Sequence, residues 1–289
     1  MQQQKQNIYH LSGRTEMKVE AVSATEIPAA LWYPEIETRR SRRRYDNQPL
    51  TSEQAERLGG ICNSFRPFSS ARVELVNQSP DKILRGVIGS YGKIKGAPAF
   101  MVFIGNRRDP MVQEKLGYTG EGVILAAEAM QLSTCWVGGS FSSKAVRPFV
   151  ELDEKEMIFA ISTVGNAPER NTFEERILSA FGLMHKRKHL SELTIGLKER
   201  EWPDWIKAAL SSARLAPSAF NRQPWRFHVK QDSITISTDG GELKRESVMS
   251  KRFDCGIAML HIEVAALAHG VRGVWKFFDP PLVAMFTAQ

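Results

Sequence analysis

The pattern of apolar and polar positions predicts strands and helices in both halves of the chain. Alternating or continuous apolar runs predict strands at residues 72–77, 99–105, 156–165 and 273–278, and a hairpin over residues 226–238. Helical spacing, often with small residues, predicts helices at residues 28–38, 51–64, 120–132, 202–215 and 254–269. The chain is therefore expected to combine both kinds of element throughout.

Local signals set several boundaries within this pattern. Thr51 is a good N-cap, and Gln54 three residues later completes a capping box. Pro28 suits the first position of a helix, and Pro203 lies in the first turn of another. Residues 1–25 are polar and predict a flexible lead-in, whereas residues 166–190 predict a polar connection that includes a helix.

A weak internal repeat appears when the sequence is shifted by 139 positions. The shift aligns small residues of two predicted helices and a tryptophan that follows each: Gly117 with Gly256, Ala126 with Ala265, Ala127 with Ala266, Ala129 with Ala268, and Trp136 with Trp275. The matching order of helix and tryptophan favours a duplication. Coincidence between two alanine-rich helices is the alternative.

Composition narrows the class of protein. The 289 residues are 42% hydrophobic and 25% charged, which is typical of a globular protein, and no apolar run has the length of a membrane span. Three cysteines without a CxxC pair argue against disulfides and zinc ribbons, so a reduced, cytoplasmic protein is expected. His185 and His189 have helical spacing but no HExxH motif or carboxylate partner, so no metal site is expected.

The net charge of +7 comes largely from the arginine segment, residues 39–45, which reads RRSRRRY. In an extended chain Arg39, Ser41 and Arg43 share one side. Guanidinium groups bind phosphate oxygens through bidentate hydrogen bonds. A solvated basic loop or a nucleic-acid patch explains the charge equally, and charge alone favours these alternatives.

A second candidate is the Ala-Pro-Ser loop, residues 216–224, which reads APSAFNRQP. Its small residues allow a flat ligand to approach the backbone. The amides of Asn221 and Gln223 can donate and accept hydrogen bonds, as the edge of an isoalloxazine ring requires. The alternative is that these amides satisfy the loop's own backbone.

A third candidate is the run LSTCWVGGSF at residues 132–141. A helix that ends in a Gly138-Gly139 turn presents bare backbone N–H groups beside an aromatic residue. Such a turn suits a flavin face, although glycine pairs follow many helices. Cys135 in this run is best explained as a small buried hydrophobe.

Together and in this order, the three segments resemble the nitroreductase family of FMN enzymes. Residues 39–45 match the family's Arg-x-Ser-x-Arg/Lys-x-aromatic motif, and residues 216–225 match Ala-Pro-Ser-x-x-Asn-x-Gln-Pro-Trp at every fixed position. Residues 132–141 match the glycine-pair turn with one residue inserted before Phe141. The resemblance covers most of residues 35–289. It implies an α+β fold, with a central sheet wrapped by helices.

The resemblance also implies roles for individual residues. Arg39, Arg40 and Ser41 would hold the phosphate and ribityl chain of FMN. Arg43 would lie beside the flavin N1/C2 carbonyl edge. Arg187 best matches a late phosphate contact, although an exposed basic helix end is as good an explanation. The full set of residues expected at the cofactor is Arg39, Arg40, Ser41, Arg43, Val137, Gly138, Gly139, Arg187, Pro217, Ser218, Ala219, Asn221 and Gln223. No side chain is expected to be catalytic, because the flavin N5 carries the chemistry.

The placement of the motifs departs from the family. Typical members carry the arginine and Ala-Pro-Ser motifs in one unit, and two subunits build each flavin site. Here the first half has lost the Ala-Pro-Ser motif, whose expected place is residues 62–69. The second half has lost the arginine motif, and its place before the Ala-Pro-Ser loop reads only KEREW, at residues 198–202. We therefore expect a fused, degenerate pair: a lead-in (1–25), a first half (26–170), a connection (171–200) and a shortened second half (201–289). The halves would pack as an intramolecular pseudo-dimer with one FMN per chain.

The function that this resemblance implies is an FMN-dependent oxidoreductase. NADH or NADPH would supply electrons to a nitroaromatic or quinone-like acceptor by a ping-pong mechanism. The expected protein is a monomer with no nucleic-acid or membrane partner. Two alternatives stay open: a flavin-binding sensor or storage protein without turnover, and a basic nucleic-acid-binding protein. The second lacks a recognisable reading helix.

Overall fold

The structure is a computed structural model that describes residues 26–84, 94–168, 186–240 and 250–289. The predicted lead-in, the first half of the predicted connection (residues 171–185, including His185) and residues 169–170 lie outside the described residues. The helices are α1 (Ala29–Thr38), α2 (Ser52–Ser64), α3 (Val112–Ala129), α4 (Ser143–Val146), α5 (Leu190–Leu193), α6 (Asp204–Leu215) and α7 (Lys251–Ala268). Short 3₁₀ turns occupy Arg147–Phe149, Glu199–Glu201 and Ala219–Asn221.

The strands form two sheets, one in each half. They are β1 (Ala71–Val76), β2 (Ala99–Asn106), β3 (Ser133–Val137), β4 (Glu156–Gly165), β5 (Thr194–Gly196), β6 (Trp225–Val229), β7 (Ser233–Thr238), β8 (Gly273–Phe277) and β9 (Leu282–Ala288). The first sheet has the order β1-β2-β4-β3 and the second β5-β6-β7-β9-β8. All pairs are antiparallel except β5–β6.

The second sheet repeats the topology of the first. Without β5, its order β6-β7-β9-β8 corresponds strand for strand to β1-β2-β4-β3. The helix α3 connects β2 to β3, and α7 connects β7 to β8 in the same way. The α+β fold with two duplicated halves is therefore confirmed. The expectation of one central sheet is corrected to one sheet per half.

The helices α3 and α7 cross in backbone contact. A Cβ atom added to Gly117 would lie 2.1 Å from Phe253 O, and one added to Gly256 would lie 2.0 Å from Glu114 O. The shift of 139 that aligns the two glycines also aligns Glu114 with Phe253, so the two contacts are equivalent. The repeated glycines thus allow the two halves to pack around a local pseudo-twofold axis.

A hydrophobic core continues from one half into the other. It includes Leu116 of α3, Leu210 of α6 and Phe286 of β9, all of them buried. A separate cluster that includes Phe100 and Ile161 covers the other face of the first sheet. Among the described residues, none of the helices combines the length and apolar character that a membrane span requires.

Several local predictions are confirmed. Thr51 and Gln54 form the capping box, β4 has the predicted bounds, and β6 and β7 form the hairpin. Pro28 and Pro203, however, each immediately precede a helix instead of lying in its first turn.

The prediction for α3 was wrong at both ends. The helix begins at Val112, not residue 120, and ends at Ala129. Glycines in its first half lower the helical propensity, but burial against neighbouring elements overrides that preference. The strand β3 then separates the helix from Gly138, so the glycine pair follows a strand and not a helix. The strands β5 and β9 were not predicted.

Candidate functional site

The arginine segment runs extended beside β3. Ser41 forms a parallel bridge with Thr134, and Arg42 N donates to Thr134 O at 2.8 Å. At the end of the segment the buried Tyr45 hydroxyl lies 2.7 Å from Thr163 Oγ1. Burial raises the pKa of Tyr45 well above its ordinary value. These contacts fix the backbone from which the arginine side chains extend.

Arg39 at the end of α1 is buried beside an acidic group. Its Nε lies 3.7 Å from Glu121 Oε1 on α3. Glu121 is fully buried and also accepts hydrogen bonds from Trp136 Nε1 (2.8 Å) and pairs with His261 Nε2 on α7 (3.0 Å). Glu121, the partner of Arg39, is therefore itself held by groups from both halves.

The Ala-Pro-Ser loop contains three non-glycine residues in the left-handed region: Phe220 (φ 53°), Asn221 (φ 53°) and Gln223 (φ 47°). Such conformations cost free energy and concentrate at functional sites. Ser218 Oγ accepts from Gln223 N at 3.0 Å and closes the loop. The aromatic ring of Phe220 is 79% exposed.

The amides of the Ala-Pro-Ser loop bind the basic segment before α5. Asn221 Nδ2 donates to Lys186 O, and Gln223 Oε1 accepts from Lys188 N at 2.8 Å. Gln223 Nε2 also donates to Lys186 O at 3.1 Å, and its side chain is 3% exposed. Both amides therefore bind the backbone of the segment at Lys186 and Lys188, and not chiefly the loop's own backbone.

Arg187 is bonded to this loop and lies near the arginine segment. Its Nη1 donates to Asn221 Oδ1 at 2.7 Å and its Nη2 to Leu215 O at 3.1 Å. Burial lowers the pKa of Arg187 to about 10, and repulsion from three neighbouring arginines adds to the effect. Those neighbours are Arg39, Arg40 and Arg214. Arg187 is half-buried in this cluster, not the exposed helix end that the sequence also allowed.

We call Arg39, Arg40, Arg187 and Arg214 the arginine cluster. Within the described residues, the Nε atoms of Arg39, Arg187 and Arg214 are buried without a hydrogen-bond partner. Buried N–H donors without acceptors are costly, and like charges repel one another. An anion with several oxygens would relieve both costs, so the donor set fits a phosphate group.

The glycine pair lies at the end of β3, beyond the arginine segment. A Cβ atom added to Gly139 would meet no atom within 4 Å, so this backbone borders open space. Val137 is buried in the second hydrophobic cluster, so only its backbone is available to a ligand. The other predicted residues, Pro217 and Ala219, lie in the Ala-Pro-Ser loop; Pro217 is buried and Ala219 is half-buried.

The equivalent place in the other half is filled by side chains. The shift of 139 aligns Gly138 with Phe277 at the end of β8. Phe277 packs edge-on against Phe68, with ring centroids 5.6 Å apart, and Phe68 packs against Tyr118 at 5.3 Å. Lys115 Nζ lies 5.4 Å from the Phe277 centroid. Phe68 belongs to the loop between α2 and β1, so a loop of the first half contacts the end of β8 in the second half.

Sequence reasoning missed Glu121, His261 and Arg214. Glu121 and His261 are 140 residues apart in the sequence, and only the packing of α3 on α7 brings them together. Arg214 had a signal, because it is the basic residue in the last turn of α6 directly before the Ala-Pro-Ser loop. Within the described residues, no group of three His, Cys, Asp or Glu side chains is arranged to hold a metal ion.

Comparisons with known proteins agree with this architecture. A family model described as "Putative TM nitroreductase" matches residues 32–266. A "putative nitroreductase" of Thermotoga maritima is similar in structure, with a TM-score of 0.59 and 17% identity over 89% of this chain and 93% of that chain.

Two further structures match about half of this chain. A nitroreductase family protein of Clostridium novyi has a TM-score of 0.40 and 12% identity over 48% of this chain and 86% of its own. An "FMN-dependent Nitroreductase" of Clostridium difficile has a TM-score of 0.38 and 18% identity over 47% and 88%. No curated protein matches the chain significantly.

Proposed function

Because the chain belongs to the nitroreductase family of oxidoreductases, we propose that it is an FMN-dependent enzyme that passes electrons from NADH or NADPH to a nitroaromatic or quinone-like acceptor. The turnover would be ping-pong, with the two substrates using the same site in succession. When bound, FMN supplies the two-electron redox chemistry that no side chain here provides. The residues of this chain bind and orient it.

The arginine cluster is the observation that carries the proposal. It gathers guanidiniums from the arginine segment, from Arg187 and from the end of α6, and it contains buried donors without partners. A terminal phosphate satisfies such donors, which favours FMN over a flavin without phosphate. Arg39 and Arg187 would make the central contacts with the phosphate, since Glu121 fixes the side chain of Arg39 and Asn221 fixes that of Arg187.

The open space at Gly139 supports a flat ligand beside this anion site. Arg39 and Arg43 are both close enough to Cys135 on β3 to lower the pKa of its thiol, although burial raises that pKa overall. The arginine segment and the strand that leads to Gly138 therefore form one surface. The Ala-Pro-Ser loop would close the other side of the flavin through Ser218, Ala219 and the loop backbone.

The first test is the visible absorption of the purified protein before and after addition of FMN. We expect a flavin spectrum, and denaturation should release FMN and not FAD. Oxidation of NADH and NADPH is then followed with menadione or a nitrofuran as acceptor. A colourless protein without affinity for FMN would refute the proposal.

The same assay distinguishes the remaining alternatives. FMN binding without acceptor-dependent oxidation of NADH or NADPH would identify a flavin sensor or storage protein. Sequence-selective DNA binding at physiological salt would instead favour the nucleic-acid function, since a cluster that serves a small anion binds DNA only weakly and with strong salt dependence.

A further inference from the structure

The strained part of the Ala-Pro-Ser loop is anchored at both ends by one carboxylate. Phe220 and Asn221 have left-handed backbone conformations, which cost free energy in residues with side chains. The fold must therefore hold this turn in place. The residues on either side of the pair, Ala219 and Arg222, both donate hydrogen bonds to Asp254 on α7.

Asp254 uses one oxygen for each end of the turn. Ala219 N donates to Oδ1 at 3.2 Å, and Arg222 Nε donates to Oδ2 at 2.5 Å. Arg222 Nη2 also donates to Ser250 O at 2.9 Å, at the start of α7. The carboxylate is fully buried. It thus bridges the beginning and the end of the turn from inside the protein.

The turn in turn positions the arginine cluster. Asn221, between the two anchored residues, accepts from Arg187 Nη1 at 2.7 Å and donates to Lys186 O at 2.9 Å. If the turn relaxed toward ordinary backbone angles, Asn221 would move and Arg187 would lose this partner. The position of a phosphate-binding guanidinium therefore depends on the turn geometry.

We propose that Asp254 is a positioning residue that holds the strained turn, and through it Arg187, in the conformation that binds FMN. The inference rests on the proposed function. It assigns to Asp254 a role that no motif carries, because the shift of 139 aligns it with Lys115, a residue of different charge at the filled place.

The buried surroundings of Asp254 affect the pH at which its carboxyl group becomes protonated. Burial raises the pKa of Asp254 to about 6, although the ion pair with Arg222 opposes the rise. Among the described residues, Cys255 and Arg252 on α7 and Glu114 on α3 are the other charged or titratable groups close by, and Arg252 forms an ion pair with Glu114. Burial keeps the pKa of Cys255 well above its ordinary value.

The test measures FMN affinity by the change in flavin fluorescence and folding by thermal unfolding of the protein without FMN. Asp254→Asn keeps the side-chain size but removes the charge and one acceptor, and it should weaken FMN binding by about tenfold. Asp109→Asn is the matched control, because Asp109 pairs with Lys115 at 2.8 Å. It should leave FMN affinity unchanged.

Strain relief separates positioning from general destabilisation. Glycine adopts the left-handed conformation without cost. Adding Phe220→Gly to Asp254→Asn should therefore raise FMN affinity by at least about fivefold over Asp254→Asn alone. Phe220→Gly alone should have little effect, since Asp254 already holds the turn. Failure of this rescue in a folded double variant would overturn the inference.

A pH series keeps the inference testable if Asp254→Asn does not fold. As pH falls from 7 to 5, Asp254 becomes protonated and FMN affinity should decrease more in the wild type than in Phe220→Gly. The FMN phosphate titrates in both proteins and cancels in the comparison. Equal pH dependence would contradict the role of Asp254. A wild type that binds no FMN would refute the proposed function itself.

Discussion

The ends of β3 and β8 occupy equivalent places in the two halves but have opposite character. At the end of β3, the backbone of Gly139 borders open space. We call this the open end. At the end of β8, which we call the filled end, Phe277 packs on Phe68 below the Lys115 ammonium group.

The corresponding loops of the two halves differ in the same sense. The Ala-Pro-Ser loop spans residues 216–224 between α6 and β6, whereas its counterpart between α2 and β1 spans only residues 65–70. The longer loop supplies a strained turn and polar backbone, and the shorter one supplies an aromatic plug. The comparison teaches that one framework supports either an open strand end, where we propose a binding site, or a piece of core, depending on a few residues there.

The largest expected effect comes from making the open end resemble the filled end. Gly139→Phe should abolish measurable FMN binding, because a ring would occupy the space that the bare backbone leaves. The fold should tolerate it, since a Cβ atom there meets nothing within 4 Å. Flavin titration and thermal unfolding check both points. Gly60→Phe on the exposed face of α2 is the control, and equal FMN affinity in all three proteins would contradict the placement.

The reverse change, emptying the filled end, should affect stability instead of binding. Phe68→Ala removes a buried ring and should lower the free energy of unfolding by about 3–5 kcal/mol. Phe149→Ala, at a ring that is 38% exposed, should cost clearly less. Denaturant unfolding gives the values. FMN stoichiometry should remain one per chain, and a second FMN would show that the filled end retains a binding site.

A smaller effect tests the arginine cluster as the proposed phosphate site. Arg187→Met should weaken FMN binding by about 1.5–3 kcal/mol, the usual value for a hydrogen bond to a charged group. Riboflavin, which has no phosphate, should lose much less affinity. Arg57→Met on the exposed face of α2 is the matched control for loss of one positive charge. Equal losses for FMN and riboflavin would remove Arg187 from the phosphate site.

The smallest effect concerns an acid of the first half, Glu128 near the end of α3, that has no acidic counterpart in the second half. Burial raises the pKa of Glu128 to about 7, and the shift of 139 aligns it with Leu267. Because the folded protein holds the proton more tightly than the unfolded chain, this group stabilises the fold most at low pH. Relative to Glu128→Gln, the wild type should lose roughly 1–3 kcal/mol of stability as pH rises from 5 to 8.

Chemical denaturation of the wild type and Glu128→Gln at several pH values measures this difference. Thr134 Oγ1 donates to Glu128 Oε1 at 2.7 Å, and a glutamine oxygen can accept the same hydrogen bond. The substitution therefore changes the titration and little else. A stability difference that stays constant across the pH range would show that the carboxyl is not protonated in the folded protein.

The sequence predicted what depends on local signals. The capping box at Thr51, the hairpin of β6 and β7 and the bounds of β4 all follow from patterns within about a dozen residues. The internal repeat also pointed to the duplicated halves. The same shift aligns Gly138 with Phe277, which indicates that the two strand ends differ in the space they leave.

What the sequence did not predict depends on contacts between distant segments. Glu121 meets His261 only because α3 crosses α7, and Asp254 meets Arg222 only through the path of the Ala-Pro-Ser loop. The three residues of β5 are too few for a periodic pattern to show. The amides of Asn221 and Gln223 were matched to a ligand, whereas the structure bonds them to the segment at Lys186 and Lys188.

The covalent link between the halves has a consequence for how such a molecule can diverge. In a pair of identical chains, one codon sets both strand ends, so a phenylalanine that stabilises one would also block the other. Here residues 138 and 277 are encoded separately. Duplication within one gene thus allowed the two strand ends to change independently. One end could contribute to stability while the other stayed accessible.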